Sequence, residues 1–247
     1  MALREEFERS GQWLFRWRSY LPLVVLALIP LAVLPSGPVP ASPAMHIVWE
    51  LFSLGVGLLG LWVRALVIGH APHGTSGRNV AQQEAATLNV SGMYSLVRHP
   101  LYLGNYLMWL GAMLVMRSWW AVVIMTLVFW VYYERIMFTE EEFLRRKFGA
   151  SYEQWSQVRP AIVPRVGSRW VPPPLEFSWR NVLRREYSGF FGLIAAWAIA
   201  VWVDDYAAFH DARPNIVTLA VFAIGLVAYL VLRTLKKTST MLHEEGR

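Results

Sequence analysis

Arg98, His99 and Pro100 stand in a row directly before an apolar run, with Tyr94, Tyr102 and Tyr106 around them. Two cationisable side chains in that place could hold an anionic group. Pro100 suits the first turn of a helix, where its missing N–H costs nothing. The free N–H groups of such a helix end attract anions. Aromatic faces attract cations, sulfonium by extension. The same residues also read as a topology anchor, basic on the inner side with tyrosines at the interface. Taken alone, the motif does not decide between the two.

A second group is Glu140-Glu141-Glu142, with Glu134 a turn or two earlier. Adjacent carboxylates beside anionic lipid need partners or a task. Glu141 precedes Arg145 by four residues and Glu142 precedes Arg146 by four, the spacing of helical ion pairs. This assigns Glu142 to Arg146 and leaves Glu140 and Glu141 as candidates for a cofactor's ammonium and hydroxyl groups. Beyond them, Leu144, Phe148-Gly149, Tyr152 and Trp155 have the spacing of an amphipathic helix with a Gly stop. Pro160 and Pro164 end the unit.

The elements that must position these residues are membrane helices. Of 247 residues, 55% are hydrophobic and 16% charged, against about 25% charged in a soluble domain. The fold class read from this is all-α: a polytopic transmembrane helix bundle of about six spans. The apolar stretches run over residues 20–34, 47–69, 101–116, 119–136, 187–203 and 216–232. A crossing needs about 20 residues, so the first and third are short. The third and fourth are joined only by Arg117 and Ser118 and read as a tight hairpin, with Trp119 and Trp120 as interfacial anchors.

With both termini inside, only Arg117 and Arg213 of the 23 Lys and Arg residues fall outside. That asymmetry sets the orientation, with the N- and C-termini cytoplasmic. It predicts an integral membrane protein whose site, if it has one, faces the cytoplasm. A rival reading cleaves the first stretch as a signal peptide near Ala44, but Glu5, Glu6 and Glu8 spoil its basic region. The two large cytoplasmic segments, 70–100 and 134–186, are where a soluble cofactor could be met. The outer loops look too short and featureless to build a site.

Several classes fall away. The chain has no cysteine, which excludes disulfides, thiolate metal centres and Cys nucleophiles. The net charge of +6 lies beside hydrophobic spans, so it speaks for anionic headgroups and not for nucleic acid. Gly55-Val-Gly57-Leu-Leu-Gly60 fits the GxGxxG pattern but lies inside a membrane run, without the strand that a dinucleotide site requires. Small residues at that spacing allow close helix packing in lipid. His70-Ala-Pro-His73 reads as a loop pair, because Pro72 breaks the helix that would align the rings. No metal site is expected. The loop from Gly74 to Gln83 carries amides and hydroxyls that are ordinary for a loop and also suited to a polar cofactor.

Two blocks together carry a resemblance. One is Ser91-Gly92-x-Tyr94-x-x-x-Arg98-His99-Pro100-x-Tyr102-x-Gly104. The other runs from Glu140-Glu141 through Leu144, Phe148-Gly149, Tyr152 and Trp155 to Pro160 and Pro164. In this order, with a hairpin between them, they resemble the isoprenylcysteine carboxyl methyltransferase family, allied to bacterial phospholipid and lipid-phosphate methyltransferases. The resemblance covers residues 47–164. It implies S-adenosylmethionine (S-adenosyl-L-methionine) as methyl donor. It places Tyr94, Arg98, His99, Pro100, Leu101, Tyr102, Glu140 and Glu141 at the cofactor, with Leu88 and the Gln82/Gln83 pair as further contacts. No catalytic side chain is assigned by it.

The chain departs from the family pattern at three points. Met137 stands where an Arg associated with substrate is expected, and Arg135 is the nearest substitute, a candidate for substrate binding. Ala86 replaces a histidine. Residues 165–186 and the last two spans are additional. These departures favour a bacterial-style amphiphilic lipid over prenylcysteine. The expected organisation is an arm and first span (1–46), a methyltransferase core (47–165), a Pro-rich interfacial linker (166–186) and a C-terminal hairpin with tail (187–247). Gly189, Gly192 and Gly225 could let that hairpin form a homo-oligomer.

Methyl transfer from a sulfonium is an in-line displacement in which positioning and exclusion of water dominate. An acceptor that is already anionic, phosphate or carboxylate, needs no general base, and the basic surface around Arg135, Arg145, Arg146 and Lys147 suits a phosphate. Two other classes stay open at this point: an NADPH-dependent membrane reductase of the sterol-reductase type, and a non-catalytic membrane partner protein.

Overall fold

The computed structural model describes residues 2–18, 42–72, 75, 85–210, 213–244 and 246. Among them every regular element is helical. In chain order these are α1 (Leu3–Trp17), α2 (Pro43–Gly69), a 3₁₀ turn (Gly92–Ser95), α3 (Pro100–Leu114), α4 (Trp119–Phe148), α5 (Ala150–Val158), α6 (Trp179–Phe209) and α7 (Ile216–Thr238).

Four of them, α2, α4, α6 and α7, are long and apolar enough to cross a membrane. The all-α membrane class therefore stands. α3 has 15 residues, about 22 Å at 1.5 Å per residue, short of the roughly 30 Å hydrocarbon core. The apolar stretch 20–34 lies outside the described residues. Exposed Val123, Ile124, Leu127, Val128 and Val131 form one stripe on α4, which in lipid meets its preferred solvent.

Helix α2 opens on Pro43 behind the Ser42 cap and runs antiparallel to α3. Glycine makes that contact possible. A Cβ on Gly60 would lie 2.5 Å from the Gly104 carbonyl oxygen, and one on Gly111 would lie 2.5 Å from the Gly57 nitrogen. Both clashes are with backbone, so neither can be relieved by a side chain turning. The glycine pattern in α2 is thus a packing face, as its membrane setting predicts. Gly55 takes no part, since a Cβ there would meet nothing.

α3 and α4 form the expected hairpin. Its turn holds Arg117 in the left-handed region at φ 52°, and Trp119 at its tip is 78% exposed. α4 ends at Gly149, φ 53°, whose N–H returns to the Arg145 carbonyl. The chain then turns into α5.

The N-terminal helix packs on the C-terminal half of α4. Gly11 sits so close that a Cβ would strike the Arg135 carbonyl and Thr139. Phe15 enters the main core. The extension 166–186 is anchored by hydrogen bonds to neighbouring elements. Gly92 N–H donates to Val171 O at 2.8 Å, Val171 N–H to Ser95 Oγ at 3.0 Å, and Ser178 N–H to Gly69 O at 2.9 Å. It clamps the 3₁₀ turn and the end of α2. Gly225 on α7 lies against Ile194 on α6, so this glycine serves packing within the hairpin.

Candidate active site

The two motif blocks lie 42 residues apart and meet face to face. Arg98 Nη1 donates to Glu141 Oε2 at 2.8 Å. His99 Nε2 lies 2.8 Å from Glu141 Oε1. A carboxylate only accepts, so the imidazole proton sits on Nε2. Tyr102 donates its hydroxyl to Glu140 Oε1 at 2.5 Å, and Glu140 Oε2 lies 3.7 Å from His99 Nδ1. The spacing of 99 and 102, one turn of α3, puts both side chains on the face that looks at α4. Glu140 and Glu141, adjacent on α4, divide between them.

These are charge-assisted contacts, about twice as strong as neutral ones. The side chains of Arg98, Glu140 and Glu141 are 22%, 25% and 18% exposed. The site is therefore open at its rim and closed beneath, where His99 and Tyr102 are buried. Its floor is aromatic. Tyr102 lies 4.7 Å from Tyr133, which stacks on Phe129 at 4.1 Å.

The main chain just before α3 is engaged by the second block. The amides of Arg98 and His99 donate to the Pro160 and Ala161 carbonyls, both at 2.9 Å. They hold the end of the second block against the first, and so are not offered to an anion. Leu101 packs with Ala65, Ile68 and Val182, on the side of α3 away from the carboxylates. Pro100 is fully buried. Tyr94 is half-buried within the 3₁₀ turn, and Leu88 is half-buried ahead of it. Gln82 and Gln83 lie outside the described residues.

The acidic row pairs differently from the i,i+4 reading. Glu142 takes Arg145, three residues on, and Arg4 from α1. Arg146 pairs with Glu8 at 2.6 Å. Glu141 takes Arg98 and His99 in place of Arg145. Two of the four cations expected to favour a phosphate are thus neutralised by carboxylates. Arg135 lies over the Phe7 ring at 5.0 Å, towards α1, and its buried Nε has no hydrogen-bond partner among the described residues.

Several contributors escape sequence reasoning. Arg18, counted there only as a topology charge, reaches 3.8 Å from Glu140 Oε1. Tyr152 approaches Glu141 closely. Burial first, and the Glu141 charge second, push its phenol above the ordinary tyrosine range. It therefore stays neutral. A deeper layer runs from α6. Glu186 grips Arg64 of α2 through two bonds of 2.8 Å. Arg64 donates to Asn105 at 2.7 Å and Asn105 to the Tyr133 hydroxyl at 3.0 Å. Only an intramembrane Arg at position 64 could have hinted at this chain.

The arrangement can hold a ligand that carries both signs of charge. Carboxylates suit ammonium and hydroxyl groups. The buried Arg98 Nε, without a hydrogen-bond partner among the described residues, suits a carboxylate.

Comparison with known proteins adds the following. A family model described as phospholipid methyltransferase matches residues 51–151. Protein-S-isoprenylcysteine O-methyltransferase of Schizosaccharomyces pombe is 29% identical over 120 residues, 48% of this chain and 51% of that protein. Cobalt-zinc-cadmium resistance protein CzcN of Cupriavidus metallidurans is 31% identical over 177 residues, 65% of this chain and 77% of its own length. A probable protein-S-isoprenylcysteine O-methyltransferase of Oryza sativa subsp. indica is 39% identical over 67 residues, 27% of this chain and 35% of that protein. The chain thus spans about half the length of the first of these relatives and about a third of the last. No solved structure matches it.

Proposed function

This chain belongs to the family of membrane methyltransferases that includes the phospholipid and isoprenylcysteine enzymes, and on that premise we propose that it transfers a methyl group from S-adenosylmethionine to an amphiphilic lipid. The observation that carries the reading is the convergence of Arg98, His99 and Tyr102 on Glu140 and Glu141. Glu140 and Glu141 would hold the donor's ammonium and ribose hydroxyls, and Arg98 its carboxylate. When bound, the donor supplies a methyl group on a sulfonium, open to displacement by an oxygen nucleophile.

The chain's own part is to position and to exclude water. His99 orients Glu141 through its Nε2 proton. Tyr102 orients Glu140 and closes the floor beneath it. Pro160 and Ala161 fix the backbone of Arg98 and His99, so both carboxylate partners keep their places. Such positioning is the main contribution a displacement reaction requires. A phosphate or carboxylate acceptor arrives already ionised, and no side chain needs to remove a proton.

The acceptor's acyl chains would enter sideways from the bilayer along the exposed apolar faces. The donor would enter from the cytosol, at the end where the charge asymmetry places the site. Arg135 remains the basic side chain best kept for an anionic headgroup.

The test is methylation with a labelled donor. Purified protein is offered a total bacterial lipid extract, a prenylcysteine analogue or simple amines, and products are read by mass spectrometry. Label on an anionic lipid is the expected result. Label on neutral amines alone would overturn the anionic acceptor. Thermal stabilisation by NADPH in place of S-adenosylhomocysteine would overturn the methyl donor.

A further inference from the structure

The outer end of the bundle holds a second cluster of titratable groups, which the methyl-transfer reading does not use. His46 and Glu50 lie one turn apart near the start of α2. Asp204 and Asp205 stand near the end of α6, and Arg117 is in the α3–α4 turn. His46 Nε2 is 2.8 Å from Asp205 Oδ1 and 2.9 Å from Glu50 Oε1. Metal-ligating atoms of His46, Asp204 and Asp205 all lie within 4.8 Å of one another. Every one of these side chains is nine-tenths or more buried.

Two features point to a missing positive partner. Glu50 is 1% exposed, yet neither of its oxygens has a hydrogen-bond partner among the described residues, and neither does Asp204 Oδ1. The 2.9 Å approach to His46 falls outside hydrogen-bond geometry. Three carboxylates are also gathered, and the guanidinium of Arg117 pairs with one of them, Asp204. With all three ionised and His46 neutral, the set would hold two negative charges that Arg117 does not balance. Buried ionised carboxylates without partners are costly, and a divalent cation would balance the set.

The far oxygens are already held. Asp204 Oδ2 accepts from Arg117 at 2.6 Å and Asp205 Oδ2 from Asn215 at 2.9 Å. This leaves Asp204 Oδ1, Asp205 Oδ1 and the Glu50 carboxylate to face inward, the arrangement in which outer hydrogen bonds orient metal ligands. We propose that His46, Glu50, Asp204 and Asp205 form a binding site for one divalent first-row transition-metal ion at the outer end of the bundle. One imidazole with carboxylates suits ions of the manganese-to-zinc class.

Ligation at His46 Nε2 moves the imidazole proton to Nδ1. The 3.3 Å contact there with Arg117 opens, and Arg117 stays on Asp204. The ion would tie α2 to α6, and through Arg117 and Asn215 also to the α3–α4 turn and α7. The inference is independent of the methyl donor and its acceptor, because the two sites lie at opposite ends of antiparallel helices.

The experiment uses full-length protein in detergent, freed of its affinity tag and dialysed against a chelator. Co²⁺ is titrated and followed by visible absorption, and Zn²⁺ by thermal unfolding. One equivalent of Co²⁺ should bind with bands distinct from the hydrated ion, Zn²⁺ should displace it, and Zn²⁺ should raise Tm. His46→Ala or Asp205→Asn should weaken binding at least about tenfold. Glu50→Gln, which keeps the shape, serves if those variants do not fold. His99→Ala at the other end should leave metal binding intact. A spectrum of hydrated Co²⁺ alone with no Zn²⁺ shift, or binding that survives in the His46 and Glu50 variants, would overturn the site.

Discussion

Replacing Glu141 by Gln tests the central contact most directly. The wild-type carboxylate accepts two charge-assisted hydrogen bonds, from Arg98 and from His99, each at 2.8 Å. Gln keeps one acceptor and turns an NH₂ towards a donor. One bond to a charged group is lost, roughly 1.5–3 kcal/mol. Without ligand the rim is wet, since Arg98 is 22% and Glu141 18% exposed, and water can replace part of the loss. With ligand bound, water is excluded and the loss falls on affinity. S-adenosylhomocysteine should then bind roughly 10- to 100-fold more weakly. The ligand-free protein should lose only about 1 kcal/mol, a Tm drop of about 2–4 °C for a chain of this size. Isothermal titration gives the first number and thermal unfolding in detergent the second. An affinity within twofold of wild type would refute the assignment of Glu141 to the cofactor. A large Tm drop with unchanged affinity would make the contact structural only.

Other expected outcomes follow from the same geometry. Arg64→Lys cannot reproduce the two-pronged grip on Glu186 together with the bond to Asn105. Breaking such a buried pair costs about 3–5 kcal/mol, seen as a large fall in Tm. Gly111→Ala places a methyl group 2.5 Å from the Gly57 nitrogen. It should destabilise the α2–α3 contact by about 1–3 kcal/mol, measurable by thermal or denaturant unfolding, whereas Gly55→Ala should be nearly silent. Tyr152 has a raised pKa in the folded state. The folded chain therefore holds that proton more tightly than the unfolded chain. Its contribution to stability is complete below the ordinary tyrosine value of about 10 and declines as pH rises beyond it. Tyr152→Phe should remove this alkaline decline from a Tm-against-pH curve and leave the neutral range without a new slope.

Much of this protein was legible in its sequence because membranes impose simple rules. Length, apolar composition and the lack of lipid-compatible alternatives dictate helices, and all described elements are helical. Backbone proximity in lipid requires small residues, so Gly57 and Gly60 could be read as packing positions. The site motifs were legible because α3 and α4 each present their residues within one turn, and the short hairpin forces the two faces together. Arg98, His99, Tyr102, Glu140 and Glu141 therefore meet as their spacing suggests.

Partner choice was not legible, because it depends on which helices touch. The i,i+4 rule paired Glu142 with Arg146. The structure brings α1 alongside α4, so Glu142 takes Arg4 and Arg145 while Glu8 takes Arg146. The bonds from the Arg98 and His99 amides to the Pro160 and Ala161 carbonyls depend on the second block folding back, which local sequence does not encode. The end of the bundle that holds His46 looked featureless because its loops are short. Its chemistry lies on helix ends, with His46 and Asp205 separated by 159 residues and joined only when α2 and α6 pack. Local sequence thus determined the helices and the two halves of the candidate site. The tertiary structure alone decided which charges neutralise one another, since an ion pair acts over a few ångströms of space and not of chain.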